Sequence, residues 1–458
     1  MAVWSVAQSG DISIAGRIDS DYFHPEFLDL DEILHQLPTE RIDRQFSISD
    51  GNHISISRHF TPQGEVPYFR GQDINSFFLE NSQPIRIPQR VFNSPGMKRS
   101  HFFGEDVLIC IVGASTGTIG LVSESDTPAT GSCKIGIIRK KTGAVIDPLF
   151  LAPFLMGKFG QYQVRRHSRG TAQGGLILID LMKLSVPVLP WKQQQAIRAL
   201  VSSSVTCNSV SRQRYTQAQQ LLESGLGLEK LRFDKPVGYT ARFSVVGLSD
   251  SVSANRIDAQ CFSPEAVFHE DWLLKHANCD RLSLLLASAA KGRQQAEVET
   301  GTTDYCSIKH ITDREIVGAS KTFPSPGTPT TRKDDLLLAI TGATIGKIGI
   351  VNRYDNLVFS GDMLRLRAND SVDPRYLLLT LNHHIGQVQF NRWITGSTNG
   401  HLAPRDVGRI LVPRLAPETE EQIAALVAES LEKRQKSEQL LDQAKYRVEQ
   451  LIEEAVRT

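Results

Sequence analysis

The chain has 458 residues, of which 40% are hydrophobic and 22% charged, and its formal net charge is +1. This balance belongs to soluble globular protein and excludes collagen-like and low-complexity disordered classes, while leaving nucleic acid neither favoured nor disfavoured as a partner. The longest apolar runs, such as residues 149–156, are too short to cross a bilayer. Residues 1–10 lack a basic stretch followed by an apolar core, so no signal peptide is expected and the cytoplasm is the expected location. Cys110, Cys133, Cys207, Cys261, Cys279 and Cys306 are scattered without a CxxC or a His at ligand spacing. They read as free thiols or small core residues, not as a zinc site or a disulfide set.

The first informative stretch is Arg17-Ile18-Asp19-Ser20-Asp21-Tyr22-Phe23-His24-Pro25-Glu26, because it returns as Arg256-Ile257-Asp258-Ala259-Gln260-Cys261-Phe262-Ser263-Pro264-Glu265. The Arg and Asp of this phrase read as a structural ion pair anchoring an extended strand. Residues 27–34 follow with an amphipathic pattern, and Pro25 suits a helix start just before them. Asp50-Gly51-Asn52-His53 and residues 64–74, with alternating residues bounded by Gly and Pro, predict short strands and turns. Residues 106–110 predict a short apolar strand. The glycine-rich run from Gly113 to Gly120 then reads as a tight β-turn, since no helix pattern follows it as phosphate-binding loops require.

Between Asp126 and Asp180 the only acid is Asp147, set against Lys134, Arg139, Lys140, Lys141, Lys158, Arg165, Arg166 and Arg169. A one-signed stretch of this length favours a polyanion. Its densest part is a basic helix end running into a small polar loop, and Arg165, Arg166, Arg169, Thr171 and Gln173, with Arg139 and Lys140, are the candidate DNA contacts. After Pro187 and Pro190 the texture becomes helical. Ile197, Val201, Ser204, Asn208, Ser211, Tyr215, Ala218 and Leu222 are spaced alternately by four and three, a heptad seam with a polar middle.

Residues 231–249 read as a linker, and everything then repeats. The Gly-Ala-Ser-Thr-Gly run at Gly113 returns at Gly342-Ala343-Thr344-Ile345-Gly346, Asp147-Pro148 as Asp373-Pro374, and Gly160-Gln161 as Gly386-Gln387. The basic loop returns with different side chains, so Arg392, Thr395, Ser397, Asn399 and His401 are the second candidate set. Trp393 reads as core at least as readily as a stacking platform. A second heptad seam follows through Ile423, Val427, Ser430, Arg434, Ser437, Leu441, Ala444, Val448, Leu451 and Ala455, with Arg434 at the place of Asn208. Two such helices packed antiparallel would bring their polar centres together. At ~1.5 Å per residue each makes a rigid spacer of roughly 57 Å, comparable with about 17 base pairs.

In this order, module, long helix, module, long helix, the chain resembles the specificity subunits of type I restriction-modification systems over essentially its whole length. The duplicated Arg-Ile-Asp-x-x-x-Phe-x-Pro-Glu opening, the Asp50-Gly51-Asn52-His53 turn, residues 66–74, the glycine loops and the Gly-Thr or Gly-Ser loops before each heptad helix carry the resemblance. It implies an α+β chain: a tandem duplication of two mixed α/β target-recognition domains (1–190 and 250–416). Long helices at 191–230 and 417–458 would form an antiparallel coiled coil with pseudo-two-fold symmetry. It implies a non-catalytic subunit that reads a bipartite asymmetric site on double-stranded DNA. Its partners would be methyltransferase subunits, two in number, and restriction and translocase subunits, with no membrane. S-adenosylmethionine, ATP and Mg would belong to those partners, with no cofactor or metal in this chain.

Two departures stand out. The second copy has Ala290-Lys291-Gly292-Arg293 near the place of Asp50-Gly51-Asn52-His53. Val112 and Thr341 precede the glycine loops where family members often carry a basic residue. The alternatives are a DNA-targeting adaptor of another defence complex, an enzyme with an unrecognised nuclease site, or a duplicated scaffold that does not bind DNA. No methyltransferase Asn-Pro-Pro-[Phe/Tyr] motif and no Walker A run occurs in the sequence.

Overall fold

The computed structural model describes residues 5–6, 9–10, 12, 16–170, 174–234, 236–240, 256, 258–396 and 400–457. Contacts divide the chain into residues 1–209 with 434–458, and residues 210–433. The first unit is built on an antiparallel sheet in the order Phe46–Asp50, Ile135–Lys140, Val107–Cys110, Ile119–Leu121. All four residues of Val107–Cys110 are buried, because both faces of this sheet are covered. Val107, Ile109 and Ile138 point into a core completed by Phe150, Phe154 and Phe159 of the helices Pro148–Met156 and Lys158–His167. Leu108, Ile135 and Ile137, on the opposite face by the two-residue period of a strand, pack on Phe69 and Phe102. Those two belong to a second sheet, Ile85–Ile87, Val66–Phe69, Ala129–Gly131, His101–Phe102, whose middle pairing is parallel.

The second unit repeats this scheme. Its sheet runs Leu286–Lys291, Met363–Ala368, Leu336–Ala339, Ile348–Ile350. Leu336 and Leu338 enter the helical core, and Leu337 and Ala339 enter the core on the other face. The accompanying sheet, Ser320–Thr322, Thr303–Cys306, Val358–Phe359, again contains one parallel pairing.

The long helices are Trp191–Leu226 and Pro417–Arg457. In the first unit Ile197 and Val201 share a core with Leu441, Ala444 and Val448. In the second, Ala218 and Leu222 share one with Ile423 and Val427. Residue numbers therefore run in opposite directions along the contact, and the pairing is antiparallel. Its polar middle is a set of reciprocal serine bonds. Ser204 Oγ donates to Ser437 O at 2.6 Å and Ser437 Oγ to Ser204 O at 2.7 Å. Ser211 and Ser430 repeat the exchange at 2.6 and 2.7 Å.

Of the remaining seam residues, Asn208 is buried and accepts from Asn81 Nδ2 at 3.3 Å. Tyr215 lies under the Arg314 guanidinium at 4.3 Å. Arg434 is half-buried beside Glu438, at 3.6 Å. The predicted seam fails at its last position: Ala455 is exposed and Ile452 is buried instead. A helix of 3.6 residues per turn drifts off a strict 3.5-residue repeat, and here the drift accumulates by the final turn.

Candidate nucleic-acid interface

Antiparallel strands bring alternate strand ends to one edge of a sheet. In the first unit Phe46–Asp50 and Val107–Cys110 end where Ile135–Lys140 and Ile119–Leu121 begin. Four connections gather there: the Asp50-to-His53 turn, Ser132-Cys133-Lys134, the glycine loop after Cys110, and the segment after the helix Lys158–His167. Backbone bonds tie them together. Cys133 N donates to Asn52 O at 3.0 Å, Ile111 N to Lys134 O at 2.9 Å and Leu176 N to Ile111 O at 2.8 Å. Arg169 and Gly175 close the last loop by exchanging two bonds of 2.9 Å. Gly170, inside that loop, has φ +101°, a conformation that favours glycine. Gly51 is required for a different reason: a Cβ there would lie 2.3 Å from Gly131 O.

The repeated opening phrase proves to be the fastener of this edge. Arg17 chelates Asp19 through two bonds of 2.8 Å and donates to Arg166 O at 3.0 Å and Ser168 O at 3.4 Å. Arg256 does the same with Asp258, donating to Ile394 O at 2.9 Å and Arg392 O at 3.3 Å. A guanidinium thus satisfies carbonyls orphaned at the C-terminus of the helix that launches each loop, where the helix dipole favours a cation. The ion pair is as predicted, but the strand is not. The carboxylate instead closes a turn, accepting from Tyr22 N at 3.1 Å in one copy and Cys261 N at 3.1 Å in the other.

The structure does not bring the predicted cations together. Arg139 and Lys140 end the strand Ile135–Lys140, so they lie at the opposite edge of the sheet from Lys134. There Arg139 pairs with Asp106 at 2.6 Å, and Lys140 sits 5.9 Å from the Trp191 ring. Arg166 is turned inward, donating to Asp31 at 2.6 Å and to Tyr22 O at 3.1 Å. Arg169 pairs with Asp180 at 2.7 Å while remaining half-exposed, and Lys158 pairs with Glu453. Arg392 is buried, donates to Cys261 O at 2.8 Å and is ion-paired with Glu270. Its neighbour Trp393 is buried core. Half of the eight cations in the stretch that is one-signed in sequence, Arg139, Lys158, Arg166 and Arg169, are therefore neutralised in space by Asp106, Glu453, Asp31 and Asp180. Arg165 and Lys134 remain exposed, with no partner among the described residues. Thr171, Gln173, Ser397 and Asn399 lie outside the described residues.

The second unit presents the same edge with other side chains. Ile340 N donates to Asp362 O at 2.9 Å, as Ile111 N does to Lys134 O, so Asp362 occupies the place of Lys134. Gly292 stands where Gly51 does, its Cβ position 2.2 Å from Ser360 O. Lys291-Gly292-Arg293-Gln294 is thus the counterpart of Asp50-Gly51-Asn52-His53, and the departure noted in the sequence is a change of side chains on one backbone. Asp50 is buried and held by Arg99 and by His53 Nε2 at 2.6 Å. Lys291 in its place is exposed. Thr395 and His401 close the second loop through backbone bonds of 2.7 and 2.8 Å, and Thr395 is exposed. In the sequence Lys134 and Lys291 stand only as part of a basic stretch and of a departure, and Asp362 does not stand out at all; none is a candidate contact there, because the two copies differ at these places. The one shared signal is the Gly51 and Gly292 pair.

At the other edge of the second sheet lies a cleft of about 930 Å³ that includes Asp334, Asp373, Arg375 and Ala424. In the first unit Arg198, at the helical position of Ala424, fills the corresponding place and pairs with Asp147 at 2.9 Å and with Glu105. No group of three or more His, Cys, Asp or Glu among the described residues could hold a metal ion. Burial pushes the Cys279 thiol up to about 11 and the Cys306 thiol up to about 12, so both are inert thiols. None of the described helices is long and apolar enough to cross a membrane.

No protein-family model and no curated protein matches the chain. Solved structures do. The S subunit of a type I restriction-modification system from M. genitalium is 14% identical, with 91% of this chain and 94% of that chain covered and a TM-score of 0.43. The HsdS subunit from Thermoanaerobacter tengcongensis is 15% identical, covering 92% and 97%, with a TM-score of 0.28. A chain from a study of the assembly and conformational transition of a type I restriction-modification system is 13% identical, covering 91% and 98%, with a TM-score of 0.30.

Proposed function

We propose that this chain is the DNA-recognition subunit of a type I restriction-modification complex. In this reading it binds a bipartite, asymmetric site in double-stranded DNA and directs methyltransferase and restriction subunits to it. The observation that carries the reading is the duplicated edge. The fastener (Arg17 and Arg256), the tight glycine (Gly51 and Gly292) and the two-bond loop closure are kept in both units, while the exposed side chains at equivalent places differ. One backbone used twice with different exposed groups suits a reader of two different sequences. A scaffold that joins proteins has no need to keep the loop geometry while changing what it presents.

Exposed cations such as Arg165 supply salt-dependent phosphate affinity, and side chains at each loop edge discriminate bases in the major groove. The long antiparallel helices fix the register of the pairing through their serine exchanges and set the number of base pairs between half-sites. Methyl transfer, with S-adenosylmethionine, and ATP-driven translocation and cleavage, with Mg, belong to the partner subunits. The test is co-expression with a methyltransferase subunit sought among the neighbouring genes, followed by mapping of methylated bases. The expected result is a split motif modified in both halves, of which exchange of one unit changes one half only. A single continuous motif, or no methylation, refutes the proposal.

A further inference from the structure

From the Lys134 and Asp362 pair we infer that the two units read opposite hydrogen-bond polarity at corresponding positions of their half-sites. Lys134 presents a donor to the acceptor edge of guanine. Asp362 presents an acceptor to the exocyclic amino group of cytosine or adenine. The inference rests on the DNA-reading function proposed above and assigns residues to it.

The geometry is specific. Lys134 O and Asp362 O accept the same backbone bond, from Ile111 N and Ile340 N, each at 2.9 Å. Both residues immediately precede the first residue of an equivalent strand, Ile135–Lys140 or Met363–Ala368, so each side chain starts from a rigid element. The Lys134 ammonium is exposed and has no partner among the described residues. Asp362 is oriented: Thr341 Oγ1 donates to its Oδ1 at 2.7 Å and Ser360 Oγ to its Oδ2 at 3.3 Å. A carboxylate has about four acceptor sites, so two bonds leave it capacity for a ligand donor.

The hydroxyl that aims Asp362 exists only in that unit. At the place of Thr341 the first unit has Val112, each making an isolated bridge to the loop after the helix. A lysine needs no acceptor-orienting hydroxyl, and Val112 offers none. Thr341 is therefore a positioning residue, and the exchange of Val112 for Thr341 accompanies the exchange of Lys134 for Asp362. Asp50 takes no part in reading, since its carboxylate is buried and held by Arg99 and His53. Lys291 in the second unit is an exposed cation with no partner among the described residues, at the edge where Asp362 stands.

The test uses the full chain with its methyltransferase partner, selecting bound sequences from a random duplex library. Lys134→Asp, at an exposed position that tolerates substitution, is expected to change base preference at one position of one half-site by about ten- to a hundredfold. The other half-site stays as it was. Asp362→Asn, which keeps the shape of the side chain, is expected to relax one position of the other half-site, and Thr341→Val to relax the same position more weakly. Circular dichroism melting confirms that each variant is folded. The inference is overturned if Lys134→Asp weakens all sequences equally, lowers the salt slope by about one and leaves the motif unchanged, the behaviour of a phosphate contact. An unchanged motif with Asp362→Asn overturns it likewise. If the unsubstituted complex selects no sequence, the DNA-reading function itself fails, a result distinct from either.

Discussion

Replacing Arg17 by Met keeps the side-chain stem and removes the guanidinium that fastens the first loop. Four contacts are lost. The bond to Arg166 O, 3.0 Å long and made by a charged donor, is worth about 1.5–3 kcal/mol, and the 3.4 Å bond to Ser168 O adds little. The pair with Asp19, whose side chain is 44% exposed, is screened and worth at most about 1 kcal/mol. Stacking over Tyr22 at 4.9 Å adds about 0.5–1 kcal/mol. Arg17→Met is therefore expected to destabilise the first unit by about 2–4 kcal/mol, and Arg256→Met the second by a similar amount. Urea unfolding followed by circular dichroism measures both. Asp19→Asn should cost less, because it loses the screened pair and keeps a side-chain acceptor for the Tyr22 amide. The reasoning is refuted if Arg17→Met lies within about 0.5 kcal/mol of wild type, or if Asp19→Asn costs more than Arg17→Met.

Arg165 and Arg166 are adjacent but should behave oppositely. Arg165→Ala is expected to leave stability within about 0.5 kcal/mol and to lower the salt slope of DNA binding by about one, whereas Arg166→Ala, which removes the charged donor to Asp31 and Tyr22 O, should cost about 2–3 kcal/mol in thermal unfolding. Ser430→Val places a branched side chain against the facing helix backbone. It should destabilise by about 1–3 kcal/mol through overpacking, and also leave the buried Arg314 without its 2.9 Å acceptor at Ser430 Oγ. Burial, assisted by the nearby Arg166, Lys183 and Arg17 charges, holds His167 down at about 4 from its ordinary 6.5. The unfolded chain then takes up a proton that the folded chain refuses, so stability falls as pH drops from about 6.5 to 4, by about 3 kcal/mol in all. His167→Gln should remove that part of the slope between pH 7.5 and 4.5 in urea midpoints, and parallel losses in both proteins would contradict the assignment.

The duplication, the antiparallel pairing of the long helices and the apolar strands were legible because each is a local or periodic signal. Ile197, Val201, Ile423 and Val427 repeat at helical spacing and are buried, and residues 107–110 are uniformly apolar because both faces of their sheet are covered. The Arg17 and Asp19 pair was legible for the same reason, as two residues apart in sequence remain apart by little in space. What the guanidinium grips was not, since Arg166 and Ser168 lie far along the chain.

Tertiary structure alone decided which charges are free. Asp31, Asp106, Asp180 and Glu453 come from separate stretches to neutralise Arg166, Arg139, Arg169 and Lys158. Coulomb attraction acts over a few ångströms of space whatever the separation in sequence, so a run of basic residues does not by itself make a basic surface. Register decided the rest. Only the pairing of strands places Lys291 opposite the role of Asp50, and Asp362 opposite that of Lys134, because side chains of different charge carry no signal that they share a backbone position.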